Sequence, residues 1–265
     1  MARTRGRTRV SQALAQRSAI RPFLIAVAIL VVWELVTRSR LINPLIVAPP
    51  SLIARAAWTD GASFLEALET TLGEILLSII VTWPLGVIIG AFVAFNRLLS
   101  EISIPLLSAI IAIPLVVLYP LLVVWVGVGP ESKVAFGCLA GFFPITLNTL
   151  IGIRSVDWDY EKMASSFGAT RRQVAFQVLI PLALPYVISG LRIGTSLIII
   201  SVIIGEMLSS LSGLGFLISM NRALFNTGQV YLGIGLALGI AVIVDVCLGK
   251  LERRTRGDSS VVSTA

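Results

Sequence analysis

The chain has 265 residues, 56% of them hydrophobic and 13% charged, with a mean hydropathy of +0.94 and a formal net charge of +7. Soluble domains carry about one-quarter charged residues, so this composition excludes an ordinary water-soluble core and indicates an integral membrane protein, whose outside is solvated by lipid. The absence of histidine excludes His-based acid–base catalysis and His metal ligation, and the excess of basic charge sits at the ends of apolar runs, which favours membrane topology over nucleic-acid binding.

Residues 1–21 form a basic arm with Arg3, Arg5, Arg7, Arg9, Arg17 and Arg21, read as cytoplasmic. The apolar run that follows has no small-x-small cleavage site before Thr37 and Arg38, so it is read as an uncleaved first span over 22–36 rather than a secretory leader. Glu34 near its outer end is expected to snorkel to water. Residues 38–70 read as a loop with Pro44, Pro49 and Pro50 and the acidic residues Asp60, Glu66 and Glu69. A second span is expected over 72–95 with Pro84 inside it, then a polar turn over 96–103. The third span, 104–126, contains Pro105, Pro114 and Pro120, and 127–133 is the next turn. A fourth span, 134–153, holds Pro144 and Asn148. The fifth runs over 184–206 with Pro185 in its first turn, where a missing N–H costs little. A Gly/Ser-containing connector, 207–229, leads to a sixth span over 230–249 and a basic tail, 251–265, that ends small and polar and is expected to be disordered. The prolines Pro84, Pro114, Pro120 and Pro144 each remove a helical hydrogen bond; membrane helices tolerate this, and a hinge role stands beside that reading. Cys138 and Cys247 lie in apolar runs and read as small packing residues, with no disulfide or zinc spacing.

Charge counting gives the orientation. Of the 21 Lys and Arg, fifteen fall in 1–21, 96–103, 154–181 and 250–265, five in the three alternate loops, and one, Arg192, inside a span. The threefold bias predicts six spans with both termini in the cytoplasm.

The longest polar-rich interruption in the second half of the chain runs from Asp157 to Pro181. Tyr160, Met163, Ala164 and Phe167 fall at i, i+3, i+4 and i+7, one face of a short helix. Gly168 suits the tight turn after it, and Thr170 with Gln173 has the spacing of a capping box opening a second short helix that Pro181 is expected to end. The result is a compact helix-turn-helix knob between two spans, a shape suited to docking another protein; a solvated loop with incidental helical spacing is the plainer reading.

This stretch resembles the EAA loop of ABC-importer permeases, with Ala164, Gly168, Val178, Ile180 and Pro181 in register. It departs where Lys162 and Met163 replace Glu and the first Ala, with Glu161 one residue early. The likeness covers roughly 70–250. Trp125-Val-Gly127-Val-Gly129-Pro-Glu-Ser-Lys133 is similar to a signature of the nitrate/sulfonate/taurine permeases, as are Phe142–Asp157, Leu184–Arg192 and Gly205-Glu-Met207 followed by Gly213-Leu-Gly215; Gly73-Glu74 stands where those permeases often carry Arg. The resemblance implies an all-α, six-helix membrane domain over 22–250 with the type I importer fold, acting as a homodimer in the bacterial inner membrane with two ATPase subunits and an extracytoplasmic solute-binding protein. It makes 155–181 the ATPase-coupling loop, with Tyr160, Glu161, Met163, Ala164, Phe167, Gly168, Ala169, Thr170, Arg171 and Pro181 as its working residues.

No Gly-x-x-x-x-Gly-Lys-Ser/Thr phosphate cradle occurs, so the chain is expected to bind no cofactor and no metal itself, ATP and Mg being held by the partner ATPase. Polar groups within spans are costly and read as candidates for function. Asn148, Arg192 and Glu206 are the candidates for a translocation path, each with a plainer alternative: Asn148 a bond between helices, Arg192 a pair with a neighbouring carboxylate or carbonyl, Glu206 a contact with the binding protein or a cap on the connector. Asp245 is expected to pair with a basic tail residue. The solute is read as a small anion such as a sulfonate, taurine or nitrate. A secondary transporter or channel not driven by ATP is the competing reading, and it lacks clear mid-membrane coupling carboxylates; a membrane enzyme is weaker still.

Overall fold

A computed structural model describes residues 24–39, 43 and 45–259, with Trp158 and residues 254–259 given by backbone alone. The expected arm over 1–21 and the end of the tail over 260–265 lie outside the described residues. Among these residues the chain is helical and contains no strand. In chain order the elements are α1 (24–38), α2 (Pro50–Thr59), α3 (Gly61–Ala94), α4 (Arg97–Ala112), a 3-10 turn (Leu115–Leu118) and α5 (Tyr119–Val126). Then come α6 (Pro130–Arg154), α7 (Trp158–Ser166), α8 (Arg171–Val174), a π-helical turn (Ala175–Leu179), α9 (Ile180–Leu208), α10 (Leu214–Ala223) and α11 (Thr227–Ser259). Four helices among the described residues are long and apolar enough to cross a membrane, or five if α4 and the segment Leu115–Val126 count as one broken span.

The chain divides into two compact units. One comprises residues up to Gly61 together with Met220–Leu232; the other comprises Ala62–Ser219 and the chain from Gly233 onward. In the first, Glu34 caps α2: the Ser51 N–H donates to Glu34 Oε2 at 3.0 Å and the Ser51 hydroxyl to Oε1 at 2.7 Å. This carboxylate therefore has a structural partner and is not merely snorkelling. Trp33 packs on Tyr231 with ring centroids 6.1 Å apart, and the Tyr231 hydroxyl donates to the Ile46 carbonyl.

The second unit explains its own sequence pattern. On α3 the buried positions are Phe64, Ala67, Thr71, Glu74, Ile75, Ser78, Thr82, Gly86, Gly90 and Ala94, a stripe at mostly three- and four-residue steps that, Ile75 apart, turns small and polar beyond Ala67. The opposite face carries exposed Leu76, Ile80, Leu85, Ile88 and Phe92. Large apolar groups face outward because lipid accepts them, and small ones face inward because close helix approach needs them. The heart of the unit is the crossing of α6 and α9. A Cβ added at Gly141 would stand 2.6 Å from Ile198 Cγ1, and one at Gly90 would stand 2.6 Å from the Thr146 carbonyl, so glycine is what permits both approaches. Ile145, Leu150, Ala183 and Ile198 are fully enclosed there.

Several expected boundaries are corrected. The loop expected over 38–70 contains α2 and the first turns of α3, because Pro50 occupies the first helical turn, where its fixed φ favours the start. The polar turn over 96–103 shrinks to Phe95 and Asn96: the Asn96 side chain caps α4 by accepting the Leu99 N–H at 3.2 Å. The third span is two helices bent by 79°, broken at Ile113 and Pro114. Pro120 sits at the start of α5, whereas Pro84 and Pro144 lie within continuous helices. Pro185 is inside α9 rather than in a first turn, and Pro181 does not end the preceding helix. The wide turn Ala175–Leu179, which ends two residues before Pro181, accommodates its ring and carries the helix on. The connector over 207–229 contains α10, and α11 continues to Ser259, past the expected end at 249.

Candidate functional site

The knob is built by local capping. Asp157 Oδ1 accepts the Asp159 N–H at 3.1 Å and opens α7. At the other end Gly168 has φ +81°, its N–H reaches the Ser165 carbonyl at 3.0 Å, and the Ala169 N–H reaches the Ala164 carbonyl at 3.1 Å. These two bonds form a Schellman motif, which requires a left-handed residue at this place. Nothing lies within 4 Å of a Cβ added at Gly168, so the demand for glycine is conformational and not steric. The capping box expected next is present: the Thr170 N–H donates to Gln173 Oε1 at 2.8 Å, and the Gln173 N–H donates to Thr170 Oγ1 at 3.4 Å.

The expected apolar face of α7 divides. Tyr160 and Ala164 are half-buried, while Met163 is 55% and Phe167 is 87% exposed. Phe176 in the π turn is 64% exposed, and Val174 is the buried anchor of the second helix. Glu161, Thr170 and Arg171 are exposed and Ala169 is half-buried, so nine of the ten expected coupling residues share the α7–turn–α8 knob. Pro181 stands apart from them, past the π turn, in the first turn of α9.

The three path candidates do not converge. Asn148 donates from Nδ2 to the Pro144 carbonyl on its own helix at 2.8 Å, and its Cβ lies where Gly190 on α9 leaves room. Arg192 is tied to α11: Nε and Nη2 donate to Asp245 at 2.6 and 2.9 Å, and Nη1 donates to Glu252 at 3.0 Å. Among the described residues Asp245 thus pairs with Arg192 on α9, where a basic tail residue was expected. Glu206 stands fourteen residues further along α9, about 21 Å away at 1.5 Å per residue. It is 1% exposed and caps α10: its carboxylate accepts the Gly215 N–H at 2.7 Å and the Thr71 hydroxyl at 2.7 Å. Thr71 in turn accepts the Leu214 N–H at 2.9 Å. Of the two plain alternatives for Glu206, the cap on the connector is the one with bonds.

Sequence reasoning missed one buried charge pair. Lys133, expected in an outer turn, lies on α6 with Nζ 3.4 Å from Glu74 Oε1, both side chains under 5% exposed. Charges in such surroundings persist only when paired. The polar stripe Thr71, Glu74, Ser78 and Thr82 along one face of α3 was the signal that a partner had to exist.

Comparison with known proteins agrees with this architecture. The family described as binding-protein-dependent transport system inner membrane component matches residues 83–257. The chain is 30% identical over 234 residues to the formylaminopyrimidine transport permease protein ThiX of Halalkalibacterium halodurans, covering 88% of this chain and 94% of that one. It is 30% identical over 233 residues to the taurine transport system permease protein TauC of Escherichia coli, covering 85% of each. In three dimensions it resembles a chain of the inward-facing MetNI methionine ABC transporter, with a TM-score of 0.57 at 17% identity, covering 76% of this chain and 98% of that chain; that likeness shows the fold.

Proposed function

The chain belongs to the binding-protein-dependent transport system inner membrane components, the permeases of ABC importers, and on that footing we propose that its 155–181 knob couples it to a separate ATPase subunit. The observation that supports this reading is the exposure of Phe167, Met163 and Phe176 on one rigidly capped projection beyond the ends of α6 and α9. Apolar side chains held out by a structured turn, without cover from their own chain, suit a preformed groove on a partner. The ATPase binds ATP and Mg, and its closure moves the knob and with it the bundle. Such a shift needs a partner that binds one state of the permease better than the other.

In this reading the chain crosses the bacterial inner membrane six times with both termini in the cytoplasm. It pairs with a second copy of itself, receives solute from an extracytoplasmic binding protein and passes a small anion such as a sulfonate, taurine or nitrate. The solutes named for its relatives differ, a formylaminopyrimidine in one and taurine in another, so the binding protein is assigned most of the selectivity. Arg192 and Glu206 act in holding helices together rather than in touching solute, since their polar atoms are engaged with Asp245, Glu252, Thr71 and Gly215.

The test is reconstitution into liposomes with and without its ATPase subunit and its binding protein. Uptake that requires both proteins and ATP is expected. ATP-independent uptake by the chain alone identifies a secondary transporter or channel and overturns the proposal.

A further inference from the structure

Two adjoining cavities lie where the knob meets the ends of the spans. One, of about 570 Å³, is lined by Arg97 and Arg154 with Ala94, Ile153 and Val156. The other, of about 530 Å³, is lined by Arg171 and Arg172 with Ser165 and Val174. Phe95, Glu161 and Leu179 line both, so the two adjoin and are taken together as one recess between the knob and the bundle. Four arginines line this recess, with Glu161 as the one acidic residue in the lining.

The arginines are not spent elsewhere. Arg97 uses Nε on Glu101 in an exposed pair at 2.9 Å, which leaves its other N–H groups available. Arg154, Arg171 and Arg172 form no ion pair among the described residues. Ala94 closes α3 and Arg154 closes α6, so the recess sits at the boundary where the apolar spans stop. Its lining combines the apolar Ala94, Ile153 and Leu179 with the four arginines. Apolar and basic groups together at the membrane–water boundary match an amphipathic anion whose acyl part lies in the bilayer.

We propose that this recess binds a phosphate-bearing anion, the chemistry shared by an acidic phospholipid headgroup and a soluble phosphate, through Arg97, Arg154, Arg171 and Arg172. Guanidinium forks match phosphate oxygens in pairs. A bound phosphate joins the start of α4, the end of α6 and the start of α8, and so braces the knob against the bundle. Glu161 confines the anion to the arginine side of the recess. The inference does not depend on an ATPase partner or on the direction of transport.

The full-length chain is purified and incorporated into phosphatidylcholine nanodiscs with increasing phosphatidylglycerol. Co-purifying lipid is counted by native mass spectrometry, and the thermal midpoint is followed in parallel. Wild type is expected to retain phosphatidylglycerol over phosphatidylcholine and to gain thermal stability as it is added. The preference falls several-fold in R97Q/R154Q and is kept in R97K/R154K. A midpoint raised by inorganic phosphate, with no retained lipid, assigns the site to a soluble phosphate. Equal lipid preference in wild type and R97Q/R154Q, with no phosphate effect, overturns the proposal. If R97Q/R154Q does not fold, the wild-type titrations decide: no midpoint change with either probe overturns it.

Discussion

Replacing Gly168 separates conformational from steric demands at the knob. The residue has φ +81°, and a Cβ added there meets nothing within 4 Å, so any penalty comes from the backbone alone. A left-handed conformation costs an ordinary L residue roughly 1–2 kcal/mol. That shifts the balance between the formed turn and its alternatives by roughly five- to thirty-fold. Asn tolerates this region best, Ala pays the ordinary penalty and β-branched Val more than that. ATP-driven uptake in proteoliposomes is therefore expected to fall in the order Gly, Asn, Ala, Val, while membrane insertion is unchanged and ATP hydrolysis proceeds without matching transport in Val. Equal uptake by Gly168→Asn and Gly168→Val would refute the reasoning, since the two differ in backbone tolerance and the Cβ of each meets open space.

Other outcomes follow from the same geometry. Thr170→Ala removes the capping box and is expected to weaken the second knob helix by about 1 kcal/mol, read as lower uptake with unchanged expression. Glu206→Ala strands the buried Gly215 N–H and leaves the Thr71 hydroxyl only the Ala67 carbonyl of its own helix, at a cost of about 1–3 kcal/mol, visible as a lowered thermal midpoint; no change contradicts the cap. Gly141→Leu forces the α6–α9 crossing apart, with overpacking of about 1–3 kcal/mol, and is expected to lower the yield of folded protein. In Arg192→Asp the pair with α11 is lost, and Asp245→Arg in the same chain restores thermal stability; failure of the double exchange to recover any of it contradicts the pairing.

The legible parts of this chain were those governed by neighbours in sequence. Thr170 and Gln173 declared a cap because a capping box spans four residues, and Gly168 declared a turn because the Schellman motif spans six. The break of the third span was written in Pro114, but whether a proline breaks a helix or rides within it depends on neighbours: Pro84 and Pro144 lie in continuous helices. Pro181 was misjudged for the same reason, because the π turn ahead of it leaves no single-residue mark. Contacts between distant positions were not readable. Glu206 meets Thr71 across 135 residues, and Arg192 meets Asp245 across 53. Each group showed by its presence in an apolar helix that a partner was required, but not which one. Charge counting placed Lys133 in an outer loop because exposure is assumed for loop lysines; burial against Glu74 removes that assumption.

The central claim is that the knob carries motion from a separate ATPase, and the most direct measurement is a cross-link from its tip. A photo-reactive residue in place of Phe167, irradiated in membranes that contain the ATPase and the binding protein, is expected to form an adduct with the ATPase subunit whose yield changes with nucleotide. Adducts only with lipid, with the binding protein or within the chain itself contradict the account.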